Sequence, residues 1–146
     1  MNDFFENEAS ILELVDGFRN KNLLESQWTH EAHLAVGIWF LSHYDRYEAT
    51  CLLRSGIIEL NVSLGGKNTE ISGYHETITL LWIWMIDKFL KANEGMPLTD
   101  LCNAFLKTEF SDRNMLLKFY SKEVLFSTRA RAIWVEPDRR LLTSPF

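Results

Sequence analysis

The run Glu76-Thr77-Ile78-Thr79-Leu80-Leu81-Trp82-Ile83-Trp84-Met85-Ile86-Asp87-Lys88-Phe89-Leu90-Lys91 is apolar at every position from 80 to 86. Such a short apolar run fits a buried strand or one stretch of a buried helix, and its flanks choose between them. Ile78, Phe89 and Leu90 continue the pattern on both sides, past the length of an ordinary strand, with no proline to interrupt it. The run is therefore read as a helix that starts near Tyr74 or His75 and ends near Asn93. A helix apolar on most of its circumference belongs at the centre of a fold.

The rest of the chain agrees with an all-helical reading. The first proline is Pro97, so nothing before it breaks a helix by that route. Ile11, Leu14, Val15 and Phe18 recur at helical spacing and place a first helix from Glu8 to about Asn20. Thr29 is a good N-cap for a second helix from His30 to about Tyr44, which is again apolar nearly all round. Asp45 caps a third, with the stripe Ala49, Leu52, Leu53, Gly56, Ile57, Leu60 and Leu64, and Gly65-Gly66 ends it. Residues 67–73 are polar and loop-like. Pro97 suits the first turn of a fifth helix, Leu98 to Lys107. Ser111 or Asp112 caps a sixth through about Tyr120. Ser127 caps a short seventh, Thr128 to Trp134, before a tail that runs extended to Phe146. The expectation is an all-α, single-domain helical bundle over residues 1–146, with six to seven helices and the second and fourth central. Trp39 and Trp84, mid-helix in those two segments, are expected to be buried.

The chain has 146 residues, of which 47% are hydrophobic and 24% charged, the balance of a globular domain with its own core. The net charge of -5 carries no basic face of the kind a duplex requires, so no nucleic-acid partner is expected. Arg129, Arg131, Arg139 and Arg140 are interspersed with Glu136 and Asp138 and read as a solvated surface. No apolar run approaches the roughly 20 residues of a membrane span. The first residues lack the basic and apolar regions of a signal peptide. Cys51 and Cys102 have no CxxC partner and read as free thiols, and the expected location is cytoplasmic.

Four histidines carry the candidate chemistry: His30, His33, His43 and His75. His30 and His33, three residues apart, share one face of the second helix, and Gly37 continues that face. His75 opens the fourth helix, followed on its face by Thr79 and Trp82. His43 is rotated away and reads as an ordinary end-of-helix residue. If the first four helices run up, down, up, down, the second and fourth begin at the same end, and His30, His33 and His75 meet there. Positive helix N-termini keep such rings neutral. Three imidazoles and a water describe an open metal site, with zinc, iron or nickel as the ion. Glu31 or Glu76 is then a fourth ligand or general base, and Tyr74 a hydrogen-bond donor to substrate. The alternative is a metal-free pocket for a small-molecule ligand, lined by the same residues with Thr79 and Trp82. Arg129 is a further ligand-binding candidate, grouped with Tyr120, Ser121 and Ser127, because a fixed arginine binds carboxylate or phosphate bidentately. A third reading is a structural protein that forms a homodimer through an exposed aromatic face. His30-Glu31-Ala32-His33 is one residue short of HExxH, and GxGxxG, GxxxxGK[ST] and GxSxG are missing from the sequence.

The segments Trp28-Thr29-His30-Glu31-Ala32-His33-Leu34 and Gly73-Tyr74-His75-Glu76-Thr77-Ile78-Thr79, with Tyr120-Ser121, Leu125-Phe126-Ser127, Ala130-Arg131 and Pro137-Asp138, form a recognisable set. In these the chain resembles a family of short bacterial proteins of uncharacterised function, over about Trp28 to Leu142. The resemblance implies a stand-alone bacterial protein and directs attention to the histidine motifs. It implies no particular reaction.

Overall fold

The computed structural model describes residues 2–143, so the end of the tail expected to reach Phe146 lies outside the described residues. Among the described residues there is no strand, and eight α-helices form the fold. They are α1 (Glu8–Asn20), α2 (His30–His43), α3 (Arg46–Ser63), α4 (Glu76–Ala92), α5 (Leu98–Leu106), α6 (Leu116–Phe119), α7 (Lys122–Leu125) and α8 (Thr128–Ala132). Local chemistry sets most of the starts. The side chains of Asn7, Thr29, Asp45 and Ser127 each accept a backbone N–H in the first turn of the helix that follows. Lys21, at φ 56°, ends α1 with a left-handed residue whose N–H returns to the Gly17 and Phe18 carbonyls.

Central packing follows from α2 and α4. α2 packs against α1, α3, α4 and α5, and α4 packs against α2, α3 and α8. The all-round apolarity of α4 has a specific cause. Ile83, Ile86 and Phe89 join a large core with α1, α2, α3 and α5. Leu81, Trp84 and Met85 face the other way, into a smaller core with Met115, Leu116, Phe119, Tyr120 and Leu125. A helix shared by two cores is apolar all round through its middle, and its charges, Glu76, Asp87, Lys88 and Lys91, fall toward its two ends.

Four expectations need correction. His75 is not in the first turn of α4; it is the N-cap, and its side chain accepts the Ile78 N–H. Pro97 likewise stands at the N-cap of α5 rather than inside it. The segment expected as one sixth helix is a 3-10 turn (Arg113–Met115) followed by α6, and a further turn, α7, capped by Ser121, was not expected. Trp39 is only half-buried: it stacks on His43 at 4.2 Å between ring centres, with the Arg19 guanidinium 5.8 Å from its ring. Trp84 is buried as expected.

Two glycines in the helices make opposite demands. A Cβ on Gly56 of α3 would overlap the ring of Phe18, which is buried between Trp28 and Phe40. A Cβ on Gly37 of α2 would meet only the Ile86 Cδ1 methyl, at 3.2 Å. Replacing a helical glycine by alanine gains about 1 kcal/mol of helix propensity, whereas overpacking a tight core costs about 1–3 kcal/mol. Gly56→Leu should therefore lose about 2 kcal/mol or more in urea denaturation. Gly37→Ala should be neutral or stabilising by up to about 1 kcal/mol. Equal effects from the two would show that the α1–α3 crossing is not tightly packed.

Candidate functional site

The loop before α4 carries Tyr74 and His75, and it is fastened to α3. The Asn68 side chain accepts the Tyr74 N–H at 3.0 Å and donates to the Ile58 carbonyl at 3.1 Å. Gly73 has φ +80°, and a Cβ there would run into the Lys67 carbonyl, so only glycine closes the loop. From the opposite side, Arg131 of α8 donates to the Gly73 carbonyl at 2.8 Å and the Tyr74 carbonyl at 3.2 Å. Thr77, fully buried, donates to the Ile133 carbonyl and accepts the Val135 N–H, which ties the start of α4 to the chain beyond α8.

Between α2, α3, α4 and the C-terminal segment lies a half-open cavity of about 510 Å³. His30, His33, Tyr74, His75, Thr79 and Trp82 all line it. Its walls are otherwise mainly apolar, and its polar lining includes Arg113, Asn114 and Arg131. No aspartate or glutamate lines it. The other proposed residues fall elsewhere. Glu31 lines an adjoining hollow, which shares His30, Arg113 and Asn114 with the cavity. Arg129 is exposed and does not line the cavity; Arg131, two residues on and rotated by about 200° at 100° per residue, does. Glu76 lies behind Tyr74, outside the lining.

Hydrogen bonding fixes what each group can do. His75 Nδ1 accepts the Ile78 N–H at 3.1 Å, so Nε2 carries the proton and donates to the Leu125 carbonyl at 2.7 Å. Both ring nitrogens are committed, and His75 has no lone pair left for a metal. Burial, opposed by the Leu125 carbonyl and reinforced by the charge of Arg131, holds its pKa below the ordinary histidine value. His30 Nε2 meets the Ser111 carbonyl at 2.6 Å and His33 Nδ1 the Thr29 carbonyl at 2.6 Å. Each donates there, so the remaining nitrogens, His30 Nδ1 and His33 Nε2, keep their lone pairs. His33 stacks on Trp28 at 3.7 Å, and Trp28 stacks on Phe18 at 5.4 Å. Although its edge reaches solvent, the protein packed about the ring lowers the His33 pKa to about 4; Thr29 opposes this, and His30 and Arg113 add to it. Among the described residues, no three His, Cys, Asp or Glu side chains gather closely enough to hold a metal ion.

Glu76 is equally committed. Arg54 donates to both of its carboxylate oxygens, and Tyr74 Oη donates to Oε2 at 2.6 Å. Burial alone would raise the Glu76 pKa, but these hydrogen bonds outweigh it and hold the carboxyl below its ordinary range. Tyr74 is pushed well above its ordinary range, by burial first and by its bond to Glu76 second, with the Thr79 hydroxyl opposing the rise. The result is a chain of hydrogen bonds from Tyr74 through Glu76 to Arg54 that braces the loop. Three of the four lone-pair sites of Glu76 are taken and its proton affinity is lowered, which makes it a poor general base.

Compared with known families, curated proteins and solved structures, the chain matches none. The chemistry of the site therefore rests on its own geometry. The sequence reading found six of the lining residues and missed Arg113 and Asn114, for which there is no local signal: they follow a helix-cap residue about 80 positions from His30 and His33 and reach them only through folding.

A histidine with a lowered pKa takes up its proton more readily in the unfolded chain than in the fold. Between the unfolded value of 6.5 and the folded value of about 4, the unfolded state binds more protons, so stability rises with pH across that window and is lost as pH falls through it. His75 acts in the same direction. Imidazole NMR should find His33 neutral at pH 6, with a midpoint near 4. Urea midpoints should fall between pH 7 and pH 4.5, and His33→Gln should flatten part of that slope. A His33 midpoint above 6 would show the ring to be solvated.

Proposed function

We propose that the chain is a small-molecule-binding protein whose ligand sits in the cavity between α2, α3, α4 and the C-terminal segment without a metal. The carrying observation is the cavity itself. At about 510 Å³ it has the size of a ligand site, and mainly apolar walls with a few converging polar groups are the usual make-up of one. Trp28 and Trp82 offer ring surfaces, and Thr79, Asn114 and the free nitrogens of His30 and His33 offer hydrogen bonds that orient a ligand. The reading is one of binding, with no reaction assigned. Glu76 is spent on Arg54 and Tyr74, and Glu31 faces the neighbouring hollow. Cys51 and Cys102 as free thiols fit a reducing, cytoplasmic setting. Among the described residues no helix is long and apolar enough to cross a membrane.

A second reading keeps a metal, on one observation. His30 and His33 each donate a ring N–H to a backbone carbonyl and keep the other nitrogen free, as ligating histidines commonly do. That gives two protein ligands rather than three, with Arg113 close enough to His33 to disfavour a cation. Elemental analysis of untagged protein distinguishes the two: less than one tenth of an equivalent of any transition metal supports the metal-free reading, and about one equivalent reverses the preference.

Phenylnaphthylamine, a neutral apolar fluorophore, should bind with a blue-shifted rise in emission and quench Trp28 and Trp82. Ile57→Trp, which fills the cavity from α3, should weaken that binding by about tenfold or more, with circular dichroism unchanged. Unaltered binding to the filled variant would place the probe elsewhere and sink the proposal.

A further inference from the structure

We infer that the ligand of this cavity is an organic acid: an apolar body carrying one anionic group, carboxylate, sulfonate or phosphate, that pairs with Arg113 at the mouth. The inference rests on the cavity being a ligand site, as proposed above, and adds the sign of the ligand's charge. Four observations converge on it.

The chain holds 20 acidic residues against 15 lysines and arginines, yet among the described residues the cavity is lined by two arginines and no aspartate or glutamate. Among the same residues neither arginine has an acidic partner. Among the described residues Arg113 forms no ion pair, and Arg131 is held only by the Gly73 and Tyr74 carbonyls. Of the neighbouring carboxylates, Glu76 is neutralised by Arg54 behind Tyr74, while Glu31 and Asp112 line the adjoining hollow, which Arg113 also borders without pairing with either. Two long helices also begin at the cavity. His30 and His33 belong to the first turn of α2, and His75 caps α4, so the positive ends of both backbone dipoles face the same space.

Arg113 is exposed at the rim of an apolar wall, and an anion that reaches it there gains a charge-assisted hydrogen bond. Arg131 spends one nitrogen, Nη1, on the Gly73 and Tyr74 carbonyls, which fixes its guanidinium at the wall, where it contributes field. Arg113, which forms no ion pair among the described residues, supplies the direct contact. It sits beside His33, whose ring packs on Trp28, which puts an aromatic surface next to the anion site. Asn114 adds an uncharged donor at the same end.

The test uses a matched pair of probes: phenylnaphthylamine and anilinonaphthalene sulfonate, which is the same ring skeleton with one sulfonate added. Fluorescence titration of the full chain is expected to show the sulfonate binding about tenfold or more tighter than the neutral compound at low salt. The preference should shrink as sodium chloride is raised. Arg113→Met, at an exposed position where folding is readily preserved, should remove most of the preference while leaving phenylnaphthylamine affinity within about twofold. Arg113→Lys should keep a part of it, and Ile57→Trp should weaken both probes. If the neutral probe binds and the sulfonate gains nothing, the charge inference is overturned and the pocket stands. A preference that survives Arg113→Met overturns the assignment to Arg113. If neither probe binds, the pocket reading and the inference both fall.

Discussion

The burial of α2 on four sides constrains everything else in this molecule. A helix packed against α1, α3, α4 and α5 has no flank from which a polar side chain can reach water, and its middle is accordingly Leu34, Ala35, Val36, Gly37 and Ile38, all buried. Polar chemistry on such a helix is confined to its ends. At the N-terminal end, His30 and His33 reach the carbonyls of Ser111 and Thr29 and still face the cavity. At the other, His43 stacks on Trp39 and hydrogen-bonds its carbonyl at 2.7 Å, away from the cavity. The location of the site is thus a by-product of how the core is filled.

The fold was legible in the sequence because its instructions are local. Thr29, Asp45 and Ser127 are caps whose function depends on the next three residues, and the apolar periodicity of α1 to α4 needs no knowledge of partners. The gathering of His30, His33, His75, Thr79 and Trp82 about one space also followed from the sequence, through the expectation that α2 and α4 begin at one end. What was not legible depends on contacts far along the chain. The choice of Arg131 over Arg129 is a question of helix rotation, settled by which side of α8 packs on α4. The loss of His75 as a metal donor turns on the Leu125 carbonyl, 50 residues away. Trp39 looked like core because its neighbours are core, but it stands at the rim, where its ring covers Arg19 and His43.

Charge management around Tyr74 explains why a site with so many donors can stay rigid. Arg54 and Glu76 form a bidentate pair in which the carboxylate is mostly shielded and the guanidinium more open. A pair of this geometry is worth more than a surface ion pair, and its orientation is fixed by the fork of the guanidinium. Tyr74 extends it to the cavity wall. The three side chains come from α3, the loop and the first turn of α4, so their hydrogen bonds hold those elements in register without placing a net charge in the cavity wall.

The division of α4 between two cores has one more effect. The smaller core joins the C-terminal segment, from Met115 to Leu125, to only one face of α4, whereas the larger core holds the first five helices together. The cavity lies along the seam between them, with Leu125, Phe126 and Arg131 on one bank and residues of α2 and α3 on the other. The smaller core is supplemented there by hydrogen bonds, with His75 donating to the Leu125 carbonyl and Thr77 to the Ile133 carbonyl. Any molecule lodged in the seam touches both banks at once. Its binding energy adds a rivet to the ties already made by those two hydrogen bonds and by that of Arg131 to the Gly73 carbonyl.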